Sequence, residues 1–150
     1  MRSFALKVLL VLQFLFLVAC ASTDSSSKKS LDALALVEIA NDYYEKGLLS
    51  DAEAKYRRIT REYPKYHEAW LKLGNIYIRT DQLDAAIIAY ETCNKKQPED
   101  VRCWNNLALA RVKQAVSSLD VGKAAMMKNS DEYLGLENFQ MKLISILATE

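Results

Sequence analysis

The chain has 150 residues, with 20 basic and 19 acidic side chains and 51% hydrophobic residues. That length suggests one domain, and the balanced charge gives no sign of a nucleic-acid partner or an acidic substrate. One histidine and three cysteines leave little material for a metal site, and the scarcity of Gly (4) and Pro (2) suits a helical chain.

Residues 1–19 come first. Arg2 and Lys7 precede an apolar run from Val8 to Val18, interrupted only by Gln13. A charged start, an apolar run and small residues before a cut read as a secretory signal peptide. The run is short for a membrane-spanning helix. It ends in Leu17-Val18-Ala19-Cys20, and these four residues resemble the bacterial lipobox. The resemblance implies cleavage before Cys20, whose thiol would carry diacylglycerol, with further acylation (palmitate) at the new N-terminus. Two or three acyl chains anchor a protein stably where one is marginal. Ala21 follows, where an Asp would resemble an inner-membrane retention signal. The expected location is therefore the cell envelope, lipid-anchored at the outer membrane and facing the periplasm. The small polar stretch Ala21 to Ser30 reads as flexible coil, so residues 20–32 are expected to be the lipidated cysteine and its tether.

Helical periodicity begins at residue 33. Within 33–66, Leu36, Ala40, Tyr43, Gly47, Ala52, Tyr56, Ile59 and Pro64 fall at the fourth, eighth, eleventh, fifteenth, twentieth, twenty-fourth, twenty-seventh and thirty-second positions. Residues 67–100 put Trp70, Leu73, Gly74, Tyr77, Ala86, Tyr90 and Pro98 on the same template. Two apolar stripes, Trp70/Leu73/Ile76/Tyr77 and Leu83/Ala86/Ile87/Tyr90, flank the polar break Thr80-Asp81-Gln82, which predicts two antiparallel helices. Small Gly74 and Ala86 would let them approach, and Pro98 would end the second. Gly47 suits a helix end needing positive φ, and Ser50, three residues before Glu53, is placed to cap the next helix. A third, partial repeat over 101–134 starts well with Trp104, Leu107 and Ala108, then departs: Arg111 replaces the Tyr and Asp120 the Ala. Ser117, Ser118 and Gly122 predict a break, with a short helix through Lys123–Lys128. Ser130, Asp131 and Glu132 would start a last helix, about 130–148, whose apolar residues either cap the stack or dock a partner.

Period and signature resemble the tetratricopeptide repeat (TPR), 34 residues of helix–turn–helix. The resemblance implies an all-α fold, a short TPR solenoid of antiparallel helix pairs over 33–150 with a C-terminal capping helix. It also implies a partner-binding groove lined by the first helix of each pair. Here that groove would consist of Val37, Asn41 and Tyr44, then Leu71, Asn75, Ile78 and Arg79, then Asn105 and Leu109. Asn41 and Asn75 recur at the ninth position, where an amide could bond a ligand's backbone or its own repeat. Val37 stands where carboxylate-clamping TPR domains carry Lys, so a chaperone-tail role is not expected.

Cys93 and Cys103 lie on either side of the bend at Gln97–Asp100, about equally far from it. An exported chain would favour a disulfide between them; two small buried residues are the other reading. His67 opens a repeat in a turn and reads as a solvated residue, not a metal ligand. No nucleophile motif, phosphate loop or metal spacing is present in the sequence, so no enzyme, cofactor or small-molecule substrate is expected. The architecture resembles the TPR lipoproteins of Tad/Flp and type IV pilus assembly. That likeness implies a membrane-anchored adaptor for protein partners such as a secretin or other pilus components. Adaptors for peptidoglycan enzymes or outer-membrane protein assembly, and a purely structural homo-oligomer, are the competing readings.

Overall fold

A computed structural model describes residues 21–147, with side chains over 30–145. The expected signal peptide, 1–19, and the expected lipidation site, Cys20, lie outside the described residues. Among those described there are six α-helices and no strand: α1 Ala21–Glu45, α2 Leu49–Glu62, α3 His67–Arg79, α4 Leu83–Lys96, α5 Val101–Ala124 and α6 Asp131–Leu147. The fold is all-α, of the helical-repeat class. The chain divides into two compact units, Met1–Lys55 and Tyr56–Glu150.

In the first unit, Leu36, Ala40 and Ala52 are buried. Gly47 turns the chain at φ +74, with its N–H bonded to the Tyr44 carbonyl and the Leu48 N–H to that of Tyr43. That left-handed closure is what a glycine after a helix end supplies cheaply. Two expectations change here. The stretch Ala21 to Ser30 is helical, not coil: once α1 is nucleated, each further residue adds a hydrogen bond without a new nucleation cost. Ser50 lies inside α2, and the first intrahelical bond, from the Ala52 N–H, goes to the carbonyl of Leu48, which holds the cap position instead.

In the second unit Leu71, Ala86, Tyr90, Cys93, Cys103, Leu107 and Ala110 form a core cluster. Burying a Leu of this kind contributes about 1.5–3 kcal/mol. Helices α3 and α4 pack at close range because position 74 is glycine. A Cβ there would meet the ring of Tyr90, with Cδ1 at 2.6 Å and Cζ at 2.7 Å. Trp70 faces the second half of α2, sharing a cleft of about 310 Å³ with Arg57, Thr60, Arg61, Leu73 and Tyr77. The α3–α4 turn closes through Asp81 at φ +58 and a Gln82 N–H bond to the Tyr77 carbonyl. Helix α4 stops at Lys96, two residues before Pro98, because the residue preceding a proline is pushed out of the α region.

The third repeat departs from expectation. Helix α5 runs unbroken through Ser117, Ser118 and Gly122 to Ala124, and no separate helix forms over 123–128. Ser118 Oγ donates to the Gln114 carbonyl at 2.9 Å, so the serine is satisfied inside the helix. Gly122 is a packing residue: a Cβ there would lie 3.0 Å from Leu136 Cδ1. The chain reverses through Asn129 at φ +66, and Ser130 Oγ accepts from the Tyr133 N–H at 3.2 Å, capping α6. Helix α6 returns along the far half of α5. Gln140 is buried there, donating to Asp120 at 2.9 Å and accepting from Lys123. Asp120, at the expected alanine position, thus has a local role. One face of the near half of α5 is left open: Cys103, Leu107 and Ala110 are buried, but Trp104 and Ala108, expected to pack, are exposed.

Candidate interaction surface

The expected groove residues do not share one fate. In the first unit, Val37, Asn41 and Tyr44 are half-buried. In the second unit Leu71 is only 4% exposed. It belongs to the core, packed among Cys103, Leu107 and Ala110 of α5. Its expected place in an open groove is corrected: the first helix of the following repeat lies over that face. Asn75 is also engaged internally. Its Oδ1 accepts from the Tyr90 hydroxyl at 2.8 Å and from Asn106 Nδ2 at 2.9 Å. One amide oxygen therefore ties α3 to α4 and to α5. Of the two uses open to this side chain, the structure shows the bond within the fold.

What stays outward is a strip on α3 and α5. Ile78 is half-buried, while Arg79 and Asn105 are exposed and Leu109 is 49% exposed. Asn105 and Leu109 occupy the fifth and ninth positions of their repeat, equivalent to Leu71 and Asn75. They are open because no further first helix lies over them among the described residues. Between them these residues supply two aliphatic side chains, an amide and a guanidinium, groups suited to an amphipathic helix or an extended segment.

The junctions between α3, α4 and α5 are crosslinked. Cys93 and Cys103 form a disulfide with Cα atoms 6.0 Å apart, joining the end of α4 to the first turn of α5. Asp100 caps α5. Its Oδ1 accepts from the Arg102 N–H and from Arg102 Nε, both at 3.0 Å, and its Oδ2 from Nη2 at 2.8 Å. His67 Nε2 lies 3.3 Å from the same Oδ2, and Glu68 Oε1 lies 3.5 Å from Arg102 Nη1. His67 is therefore part of a clasp between the starts of α3 and α5, not a freely solvated residue. The Arg102 guanidinium holds the Asp100 carboxyl down at about 2, and Asp100 in turn raises Arg102. Arg111, standing where the repeat carries Tyr, donates to Glu91 at 2.7 Å and links α5 to α4 by charge instead.

Cys93, Cys103 and Asp100 have ligand atoms within 4.8 Å of one another, the one such group among the described residues. The two sulfurs are bonded to each other and the carboxylate is occupied by Arg102 and His67, so this cluster works as a staple. Sequence reasoning missed Asn106 and the Asp100 clasp. An Asp directly before an apolar helical stripe is an N-cap signal that could have found the latter.

This helix-pair geometry has relatives. Residues 37–93 match the tetratricopeptide repeat family. The chain carries a TPR. A TPR repeat-containing protein of Schizosaccharomyces pombe is 34% identical over 71 residues, covering 47% of this chain and 9% of that protein. The chain thus spans about a tenth of the length of that relative. TPR repeats are protein–protein interaction modules, and the helical-repeat fold is typically a non-enzymatic scaffold.

Proposed function

We propose that this protein is a lipid-anchored adaptor of the bacterial cell envelope that holds a protein segment on the outward strip of α3 and α5. The observation that carries the binding reading is the contrast on that strip. Arg79, Asn105 and Leu109 stay exposed, while the residues behind them are fixed by the Asn75 bonds and the Cys93–Cys103 bridge. A preorganised surface loses little entropy on binding. Its role is that of a scaffold, the usual one for a helical-repeat fold.

The anchoring part of the reading rests on the Leu17–Cys20 motif and the apolar run before it. The system it serves would be pilus or secretin assembly at the outer membrane, supported by the likeness of architecture to Tad/Flp and type IV pilus lipoproteins. Crosslinking in the native envelope, followed by pull-down, tests both parts. The chain should capture secretin or pilin-system components, and Asn105→Ala with Leu109→Asp should abolish capture while helicity is unchanged. Undiminished capture would refute the strip as the site. Palmitate labelling should be lost in Cys20→Ser; a Cys20→Ser chain that keeps its label would refute lipidation there.

A further inference from the structure

The third repeat lacks a cover on the face that α4 covers in the second. In the second repeat Gly74 lies beneath the Tyr90 ring, with Ala86 fully buried one turn away on the same helix. On α5 the counterparts of Trp70 and Gly74 are Trp104 and Ala108, at the fourth and eighth positions. Among the described residues, α6 makes its close contacts to α5 at Asp120, Gly122 and Lys123, three to four turns beyond Ala108, the counterpart of Gly74 where α4 crosses α3. Val101 is 66% exposed, Trp104 is 51% exposed and Ala108 is exposed. The Trp104 indole N–H is already satisfied by the Pro98 carbonyl at 2.9 Å. What it offers is therefore a flat apolar ring face. End repeats in such arrays need a polar outer face for solubility, and this shelf is apolar.

Internal repetition says what fits there. We propose that Val101, Trp104 and Ala108 form a docking shelf for an amphipathic helix of a partner protein, which completes the third repeat as α4 completes the second. The helix presents a small residue and, four residues on, a large apolar one, the spacing of Ala86 and Tyr90. It runs antiparallel to α5, as α4 does to α3. Its polarity follows from the charge at one end of the shelf. Glu99 precedes Val101 and is exposed, while at the other end Arg111, three residues past Ala108, already pairs with Glu91 of α4. A basic last turn meets Glu99 in an antiparallel helix, as Lys95–Lys96 close α4. This shelf adjoins the strip through Asn105 and Leu109 on the same helix, and the proposal rests on that surface being a binding face.

The probe is a synthetic peptide with the sequence of residues 83–96, serine in place of Cys93, stapled from Ile88 to Thr92 on its outer face. Stapling removes the helix-formation cost that a 14-residue peptide bears alone. Titrated into the full chain carrying Trp70→Phe, it should shift Trp104 emission to the blue with a Kd on the order of 10 μM. Calorimetry on the unaltered chain gives the same reading should Trp70→Phe fail to fold. The peptide with Ala at the Tyr90 position should bind at least tenfold more weakly, as should the chain with Ala108→Glu at unchanged helicity. No saturable binding, or equal binding by the Ala108→Glu chain, overturns the proposal. Concentration-dependent dimerisation in sedimentation that Ala108→Glu abolishes would also overturn it, by assigning the shelf to a second copy.

Discussion

The second and third repeats start alike and finish differently. Both begin with Trp at the fourth position and a small residue at the eighth. In the second, the helix that follows begins after a three-residue turn and lies directly over that small residue. In the third, the first helix runs on for 24 residues before the chain turns, so the returning α6 lands on its far half. The same signature therefore gives a sealed face at Gly74 and an open one at Ala108. A repeat signature specifies which residues would pack; the length of the first helix decides whether they do.

Substitutions at the two eighth positions should break or sustain that contrast most plainly. Gly74→Leu drives a side chain into a ring held by the Tyr90–Asn75 bond, and should cost about 3 kcal/mol or more. In thermal unfolding that is a fall in Tm of over 10 °C for a domain of this size. Removing the bridge comes next. Cys93→Ser with Cys103→Ser opens a loop with a sequence separation of 10, and should lower stability by about 2–3 kcal/mol in urea unfolding. Tyr90→Phe deletes one donor to Asn75 while Asn106 keeps its own; about 1 kcal/mol is expected from the same assay.

Acid should act on the clasp between the two repeats. Asp100 has its pKa lowered from 3.8 to about 2 in the folded chain. A depressed carboxylate stabilises the fold above its unfolded pKa, so this contribution is full above about pH 4 and fades as pH falls towards 2. Its side chain is 9% exposed but Arg102 is 55% exposed, so screening limits the effect to about 1 kcal/mol. Asp100→Asn should flatten the acid limb of the stability profile between pH 4 and 2; an unchanged limb would remove the clasp from the account. The smallest effect belongs to the open face. Ala108→Leu should stay within about 0.5 kcal/mol of the unaltered chain, since an exposed helical position resists neither bulk nor polarity.

Much of the fold was readable in the residues. Local signals mark Gly47 for a positive φ after a helix end, Gly74 for a close approach of two helices and Ser130 for the start of α6, and the structure has each there. The far end was less readable, for a physical reason. Ser117, Ser118 and Gly122 are weak helix formers, but a serine can bond back to its own helix and a glycine can admit a neighbouring Leu, so tertiary contact overrode propensity. The groove was half readable. Position within a repeat identifies the outward face of a first helix but not whether the next repeat lies over it. Leu71 and Asn75 were therefore expected open and are engaged, while Asn105 and Leu109 keep the expected exposure.

The central claim is that the third repeat is open where the second is closed, and its two tryptophans report on it directly. Acrylamide quenching of single-tryptophan forms of the full chain, Trp70→Phe and Trp104→Phe, compares the two faces in one titration each. Trp104 should emit to the red of Trp70 and be quenched with a Stern–Volmer constant several-fold larger. Equal quenching, or a Trp104 as blue and protected as Trp70, would mean that the shelf on α5 is already covered and that the two repeats do not differ as described.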